Sequence, residues 1–202
     1  MNSQGIPPIK VKPNAFIGRR LLERSGDAHY LLEEDKVRFL PPAFFEKRPT
    51  FDISVDILWL EGNASERARD VAVAECASVA KTEGHDVFGW AGGRADALLR
   101  DAKDEVERIV GTPKPTNQRH GDIVALESLR IKTASDDLAK RKANIVAKAL
   151  AEAYNKSGRF VPAPKGPAPS ANTSDRDRSR TIHVVVAWIR SKLGRLWQTL
   201  NW

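Results

Sequence analysis

A proline-rich stretch near the C-terminus limits how much of this chain can enter one folded core. Residues 162–180 contain four prolines among serine, alanine, asparagine and aspartate, with almost no bulky apolar side chain. Such a composition does not offset the entropy lost on ordering, about 1–2 kcal/mol per residue, so we predict a semi-extended linker there. One globular domain is predicted over residues 21–161, with a separate element at residues 181–202. Residues 1–20, which are rich in proline, are predicted to form an extended arm with room for a short strand at residues 15–17.

Three segments of the predicted domain have apolar residues at helical spacing. The first helix is predicted over residues 65–81, with Ser65 as its N-cap. Gly84, which readily adopts the left-handed backbone conformation, is predicted to end it. Residues 95–110 and 136–156 show the same periodicity and are predicted as the second and third helices. The apolar stripe of the third helix includes Leu138, Ile145, Val146, Leu150 and Tyr154.

The strand signals are shorter than the helix signals. Phe51–Leu60 alternates apolar and polar side chains over its first half and is the best strand candidate. Further strands are predicted at residues 86–91, before a Gly92-Gly93 turn, and at 122–126, and an edge strand at 159–161. Residues 30–32 and 37–40 predict a hairpin. Together these elements predict an α+β fold: a small mixed or antiparallel sheet packed with three main helices, plus a tethered C-terminal amphipathic helix.

One polar row could carry chemistry. Asp52, Ser54 and Asp56 lie on one face of the predicted strand, and His120 lies in a loop just before Asp122. This set is the centre of one alternative, a small enzyme or nucleotide-binding domain. A solvated polar face explains the same alternation and is the favoured interpretation. No metal-ligand spacing such as H-E-x-x-H occurs, so neither a metal nor a cofactor is predicted.

Composition and charge indicate the compartment and the class of partner. The single cysteine, Cys76, lies among apolar residues and is predicted to be buried, as in a reducing compartment. The longest apolar run, Val184–Ile189, is far shorter than the ~20 residues that cross a bilayer. Arg19 and Arg20 are expected to be solvated. The predicted location is cytoplasmic, with peripheral attachment to a membrane as one option.

Residues 181–202 form the most distinctive segment. They contain three of the five tryptophans and no acidic residue, and residues 163–202 hold seven Lys or Arg against two Asp in a chain of net charge +7. On a helix the apolar residues form one stripe, which must be buried against something. The residues predicted to bind a partner protein or an anionic membrane surface are Trp188, Ile189, Arg190, Lys192, Leu193, Arg195, Leu196, Trp197, Leu200 and Trp202.

The leading functional hypothesis is therefore an intracellular, non-catalytic interaction protein that docks through residues 181–202. The enzyme hypothesis is the first alternative. Nucleic-acid binding through the basic tail and the third helix is the second alternative, although that helix also carries acidic residues.

Overall fold

The computed structural model describes residues 8–23, 29–33, 36–45, 52–130 and 136–164. The chain divides into two units, Met1–Ala168 and Pro169–Trp202, and every described residue belongs to the first. Most of the linker and the whole segment 181–202 thus lie outside the described residues. No helix among the described residues is long and apolar enough to span a membrane.

The described part of the chain is an α+β structure, as predicted. Its helices are α1 (Glu66–Thr82), α2 (Ala95–Asp101) and α3 (Asp136–Ser157). A separate hairpin consists of β3 (Tyr30–Glu33) and β4 (Lys36–Phe39). The main sheet consists of β1 (Ile9–Lys10), β2 (Ala15–Leu22), β5 (Asp52–Leu60), β6 (Val87–Arg94), β7 (Val106–Gly111), β8 (His120–Ala125) and β9 (Arg159–Pro162). These seven strands are antiparallel, in the order β1-β7-β8-β5-β2-β6-β9.

The alternating strand predicted from the sequence is β5, at the middle of the sheet. Its apolar residues Ile53 and Val55 pack in a core cluster that also contains Leu98 of α2 and Leu150 of α3. Leu58 belongs to a second cluster, which contains Cys76 of α1. Because successive side chains of a strand point to opposite faces, α1 covers one face of the sheet, and α2 and α3 cover the other.

Helix α1 forms for the local reasons that its sequence suggests. The Ser65 hydroxyl accepts a hydrogen bond from the backbone N–H of Ala68 at 3.2 Å, and Glu66 lies in the first turn. This N-cap provides an acceptor for a backbone N–H that has no partner within the helix, and it contributes about 1 kcal/mol to stability. Gly84, with a φ of 78°, follows the last turn. The prediction for this helix is confirmed.

The second predicted helix is too long. It ends at Asp101, and the residues expected to continue it form β7. Val106, Ile109 and Val110 match a helical period, but they also suit a strand because they are β-branched. Pairing with β1 and β8 gives their backbone groups partners in the sheet, and this long-range pairing overrides the local pattern.

The N-terminal prediction also needs correction. Residues 15–22 form β2, which includes the short strand expected at residues 15–17 but is longer and lies between β5 and β6 rather than in an extended arm. Gly18 permits this central position, since a Cβ there would lie 2.8 Å from Leu58 Cδ1 and Trp90 Cδ1. Gly92 and Gly93 continue β6 instead of forming a turn, and a Cβ on Gly92 would overlap the Phe16 ring.

The hairpin and α3 are present as predicted, with one difference. Asn155 of α3 holds the end of the hairpin: its Oδ1 accepts from the Phe39 N–H at 2.8 Å, and its Nδ2 donates to the Phe39 carbonyl at 2.9 Å. Leu150 and Tyr154 of α3 are buried, but Leu138 and Ile145 are about half exposed. These two were expected in the buried stripe, and they lie on the outer side of the helix instead.

Candidate functional site

The central strands bring the predicted polar residues together. In the pairing of β5 with β8, Asp56 lies opposite His120, and Ser54 lies opposite Asp122. Asp52 pairs with Val124, one step further along. Since directly paired residues share a face, all these side chains lie on one side of the sheet. His120 is the first residue of β8 rather than part of the preceding loop.

Asp56 is the centre of a buried hydrogen-bond cluster. It is 1% exposed, and its Oδ2 accepts from Arg20 Nε at 2.8 Å and from Trp90 Nε1 at 2.8 Å. Its Oδ1 accepts from Arg20 Nη2 and from Asn117 Nδ2, each at 3.0 Å. The two oxygens of a carboxylate offer about four lone-pair sites. The four donors therefore use the whole accepting capacity of Asp56.

Arg20 is the counter-charge of this cluster. Besides its paired bonds to Asp56, it donates through Nη1 to Glu83 Oε2 at 2.5 Å. Burial acts to lower the pKa of the guanidinium, but the hydrogen bonds and charges of Asp56 and Glu83 raise it above its ordinary value. Arg20 was expected to be solvated. The structure corrects this, because the residue faces the buried carboxylate from the neighbouring strand.

Thr112 connects His120 to Asp122. The Thr112 hydroxyl donates to Asp122 Oδ2 at 2.5 Å. His120 Nδ1 lies 2.8 Å from that hydroxyl oxygen and 3.1 Å from the Thr112 carbonyl. Because the hydroxyl proton is used on Asp122 and a carbonyl only accepts, this network assigns the proton of neutral His120 to Nδ1.

That tautomer leaves a bare lone pair on His120 Nε2. The atom is buried and has no hydrogen-bond partner among the described residues, and Asp122 Oδ1 lies 3.9 Å from it. Burial lowers the pKa of His120 below its ordinary value, and the charge of Asp122 offsets only part of this effect. The neutral imidazole is therefore the form expected at neutral pH.

Asp52 has a different environment from Asp56. Burial raises its pKa, and the nearby charge of Asp122 adds to the rise, while Arg130 and Arg108 oppose it. Its Oδ1 is buried and finds no hydrogen-bond donor within the described ranges. Ser54 contributes its backbone carbonyl, which accepts from Arg19 Nη1 at 2.7 Å.

The structure does not make Cys76 a nucleophile. The residue is 1% exposed, as the sequence predicts, and burial together with the charge of Asp56 raises the pKa of its thiol to about 12. A thiol with such a pKa holds its proton at neutral pH, and the thiolate is the reactive form.

A metal centre is not apparent in the part of the chain that the structure describes. There, no three His, Cys, Asp or Glu side chains are placed where they could hold one metal ion. His120 Nε2 and Asp122 Oδ1 lie 3.9 Å apart and supply two such groups. The Asp56 carboxylate already accepts hydrogen bonds from Arg20, Trp90 and Asn117.

Three residues of the cluster were not predicted: Arg20, Trp90 and Asn117. Two signals point to them in hindsight. Arg20 is one of two adjacent arginines in an otherwise apolar strand, and Trp90 lies in a short apolar segment, where a buried indole N–H needs an acceptor. Asn117 lies in the loop between β7 and β8, and its sequence context offers no comparable signal.

The ten residues from Trp188 to Trp202 that were predicted to bind a partner all lie outside the described residues. Comparisons with models of protein families, with curated proteins and with solved structures found no match to this chain.

Proposed function

We propose that this protein is a non-catalytic interaction protein that docks through residues 181–202 onto a partner protein or an anionic membrane surface. The observation that carries the proposal is the composition of that segment: a tryptophan-rich apolar stripe with basic neighbours and no acidic residue, after a proline-rich stretch. Amphipathic helices that lie at membrane interfaces or fill protein grooves have this composition.

The driving force for docking would be apolar burial. Ile189, Leu193, Leu196 and Trp197 would each contribute roughly 1.5–3 kcal/mol if fully buried. On an anionic membrane, each Lys or Arg near the surface would add roughly 1 kcal/mol, a contribution that salt weakens. In a protein groove the apolar contribution would dominate, and binding would depend less on salt.

The central cluster supports a non-catalytic role for the folded body. All four accepting positions of Asp56 are used by Arg20, Trp90 and Asn117, so this carboxylate is not free to act as a base or a ligand. The Cys76 thiol is buried and protonated at neutral pH. The hydrogen bonds that Asp56 accepts from β2, β6 and the loop before β8 explain the carboxylate. The packing of Cys76 between α1 and the sheet explains the thiol.

One observation favours the alternative of a small enzyme centred on Asp52, Ser54, Asp56 and His120. His120 Nε2 and Asp52 Oδ1 are buried acceptors with no donor among the described residues, and they lie on the same sheet face. A neutral imidazole with a bare lone pair beside Asp122 could act as a general base. This alternative requires a substrate to reach the buried nitrogen, and it would use Asp56 only as a structural support.

The test of the docking proposal is sedimentation of the full chain with anionic vesicles at low and high salt. We expect binding that weakens with salt and that is lost when Trp188, Leu193 and Trp197 are replaced by serine. A matched control replaces three exposed apolar residues of the body, Ile9, Leu32 and Val71, which are 56%, 63% and 39% exposed. If the substitutions in the tail instead unfold the body, the tail is part of the core and the proposal is wrong.

A further inference from the structure

Two acceptor atoms face each other at the start of β8. His120 and Asp122 are two residues apart on this strand, so their side chains lie on the same face of the sheet. His120 Nε2 lies 3.9 Å from Asp122 Oδ1, is buried, and has no hydrogen-bond partner among the described residues. The bare lone pair of the neutral imidazole therefore points towards a carboxylate oxygen.

Thr112, the residue after β7, holds both side chains in these positions. Its hydroxyl donates to Asp122 Oδ2 at 2.5 Å, and its carbonyl oxygen accepts from His120 Nδ1 at 3.1 Å. The Thr112 N–H also donates to the His120 carbonyl at 2.9 Å, which fixes the two backbone segments relative to each other. Rotation of either ring or carboxylate would break one of these bonds, so the two acceptors remain opposed.

A proton on His120 Nε2 would change this contact from unfavourable to favourable. The neutral ring directs a lone pair at Asp122, whereas the imidazolium would direct an N–H at it. A charge-assisted N–H···O bond is about 2.7–2.9 Å long, so the two atoms would need to approach by about 1 Å. Protonation would therefore give the one unpartnered ring nitrogen an acceptor that is already beside it.

The charges around the imidazole act in opposite directions. Asp122 on β8 and Asp56 on β5 favour the imidazolium, whereas burial and the charge of Lys114 oppose it. The negative charge of Asp56 is also paired with Arg20 of β2. Burial is the largest of these effects and holds the pKa of His120 below its ordinary value, so the ring becomes charged only in acidic solution.

The loop between β7 and β8 has contacts that do not depend on His120. Asn117 Nδ2 donates to Asp56 Oδ1 at 3.0 Å. Arg119 Nε pairs with Glu75 Oε2 of α1 at 2.8 Å. These contacts would persist when the imidazole becomes charged, so the folded protein can hold both protonation states.

We propose that His120, Thr112 and Asp122 form a pH-sensitive switch in the folded protein, in which acid places a proton on Nε2 and converts two opposed acceptors into an ion pair. The proton comes from solvent and returns to it, while the Nδ1 proton stays on Thr112 in both states. The proposal goes beyond docking by residues 181–202 and does not depend on it.

Nuclear magnetic resonance of the full chain, labelled with ¹⁵N at histidine, follows the ring nitrogens as pH is lowered from about 8 to about 5. The His120→Gln variant identifies the His120 signals among those of the four histidines. At neutral pH we expect a proton on Nδ1 and none on Nε2. In acid we expect a proton on Nε2 that exchanges slowly with water, because it is bonded to Asp122.

Two variants should move the pKa of His120 in opposite directions. Asp122→Asn removes an attracting charge and should lower that pKa further, whereas Lys114→Gln removes an opposing charge at an exposed position and should raise it. Asp104→Asn removes an exposed carboxylate outside the site and should leave the pKa of His120 unchanged. Circular dichroism checks that each variant is folded.

Three results would overturn the proposal. One is a proton on His120 Nε2 at neutral pH, because no bare lone pair would then face Asp122. Another is the same His120 pKa in the Asp122→Asn variant, in the Lys114→Gln variant and in the unchanged chain. The third is loss of the folded spectrum at the pH where His120 titrates. If the pKa values move as expected and the chain does not bind vesicles, the switch stands and the proposed function fails.

Discussion

The buried carboxylate of Asp56 offers the sharpest prediction for the folded body. Asp56→Ala removes the acceptor of four hydrogen bonds and leaves Arg20, Trp90 Nε1 and Asn117 Nδ2 without it. Removing one partner of a buried ion pair costs about 3–5 kcal/mol, and each buried donor left unpaired costs about 1–3 kcal/mol. Against a total stability of about 5–15 kcal/mol, this variant should be largely unfolded or close to it.

Asp56→Asn gives a finer measurement of the same cluster. The amide of asparagine keeps one oxygen that accepts hydrogen bonds. Its NH₂ group replaces the other carboxylate oxygen, which accepted two hydrogen bonds, and this group can only donate. We expect a loss of about 2–4 kcal/mol in the free energy of unfolding, measured by urea denaturation followed by circular dichroism. Asp104→Asn, at an exposed position, is the control and should change stability by less than about 0.5 kcal/mol. A loss below about 1 kcal/mol for Asp56→Asn would refute the structural role assigned to the carboxylate.

Two further predictions concern buried titratable groups. Burial lowers the pKa of His120 in the folded state, so the imidazole of the unfolded chain is protonated first as pH falls. The contribution of neutral His120 to stability is therefore kept above the unfolded pKa of about 6.5 and is lost as pH falls through the lower folded value. His120→Gln should therefore make the urea midpoint less sensitive to pH between about 7.5 and about 5.5, and an unchanged pH dependence would contradict the assignment. The thiol of Cys76, with its pKa near 12, should react with a disulfide reagent at neutral pH only when urea unfolds the chain; fast reaction of the folded protein would show that the site is open.

The elements that the sequence predicted well are those whose signal is local. The cap at Ser65 and the glycine at position 84 mark the ends of α1, and the alternation from Ile53 onwards marks β5. The failures occur where distant partners decide the structure. β7 fits a helical period, and only its neighbours in the sheet make it a strand. β2 lacked a clear pattern because Gly18 and two arginines interrupt its apolar residues.

The same reasoning explains how far the candidate site could be anticipated. Asp52, Ser54 and Asp56 share a face because one strand carries them, which the alternation predicts. Their partners come from elsewhere: Arg20 lies 36 residues from Asp56 in sequence, and Asn117 lies 61 residues from it. Only the order of the strands in the sheet brings these donors to the carboxylate, and strand order is not encoded in any local period.

Tryptophan fluorescence tests the docking account most directly, because the two kinds of tryptophan are already separated in the sequence. Trp59 and Trp90 are 8% and 0% exposed in the folded body, whereas Trp188, Trp197 and Trp202 belong to the proposed docking segment. Adding anionic vesicles at low salt should shift the emission to shorter wavelength, and brominated lipid should quench it. In the Trp188→Ser, Leu193→Ser, Trp197→Ser variant, both the emission shift and the quenching should be smaller than in the unchanged chain. Emission that stays unchanged in position and intensity with both kinds of vesicle would contradict membrane docking by this segment.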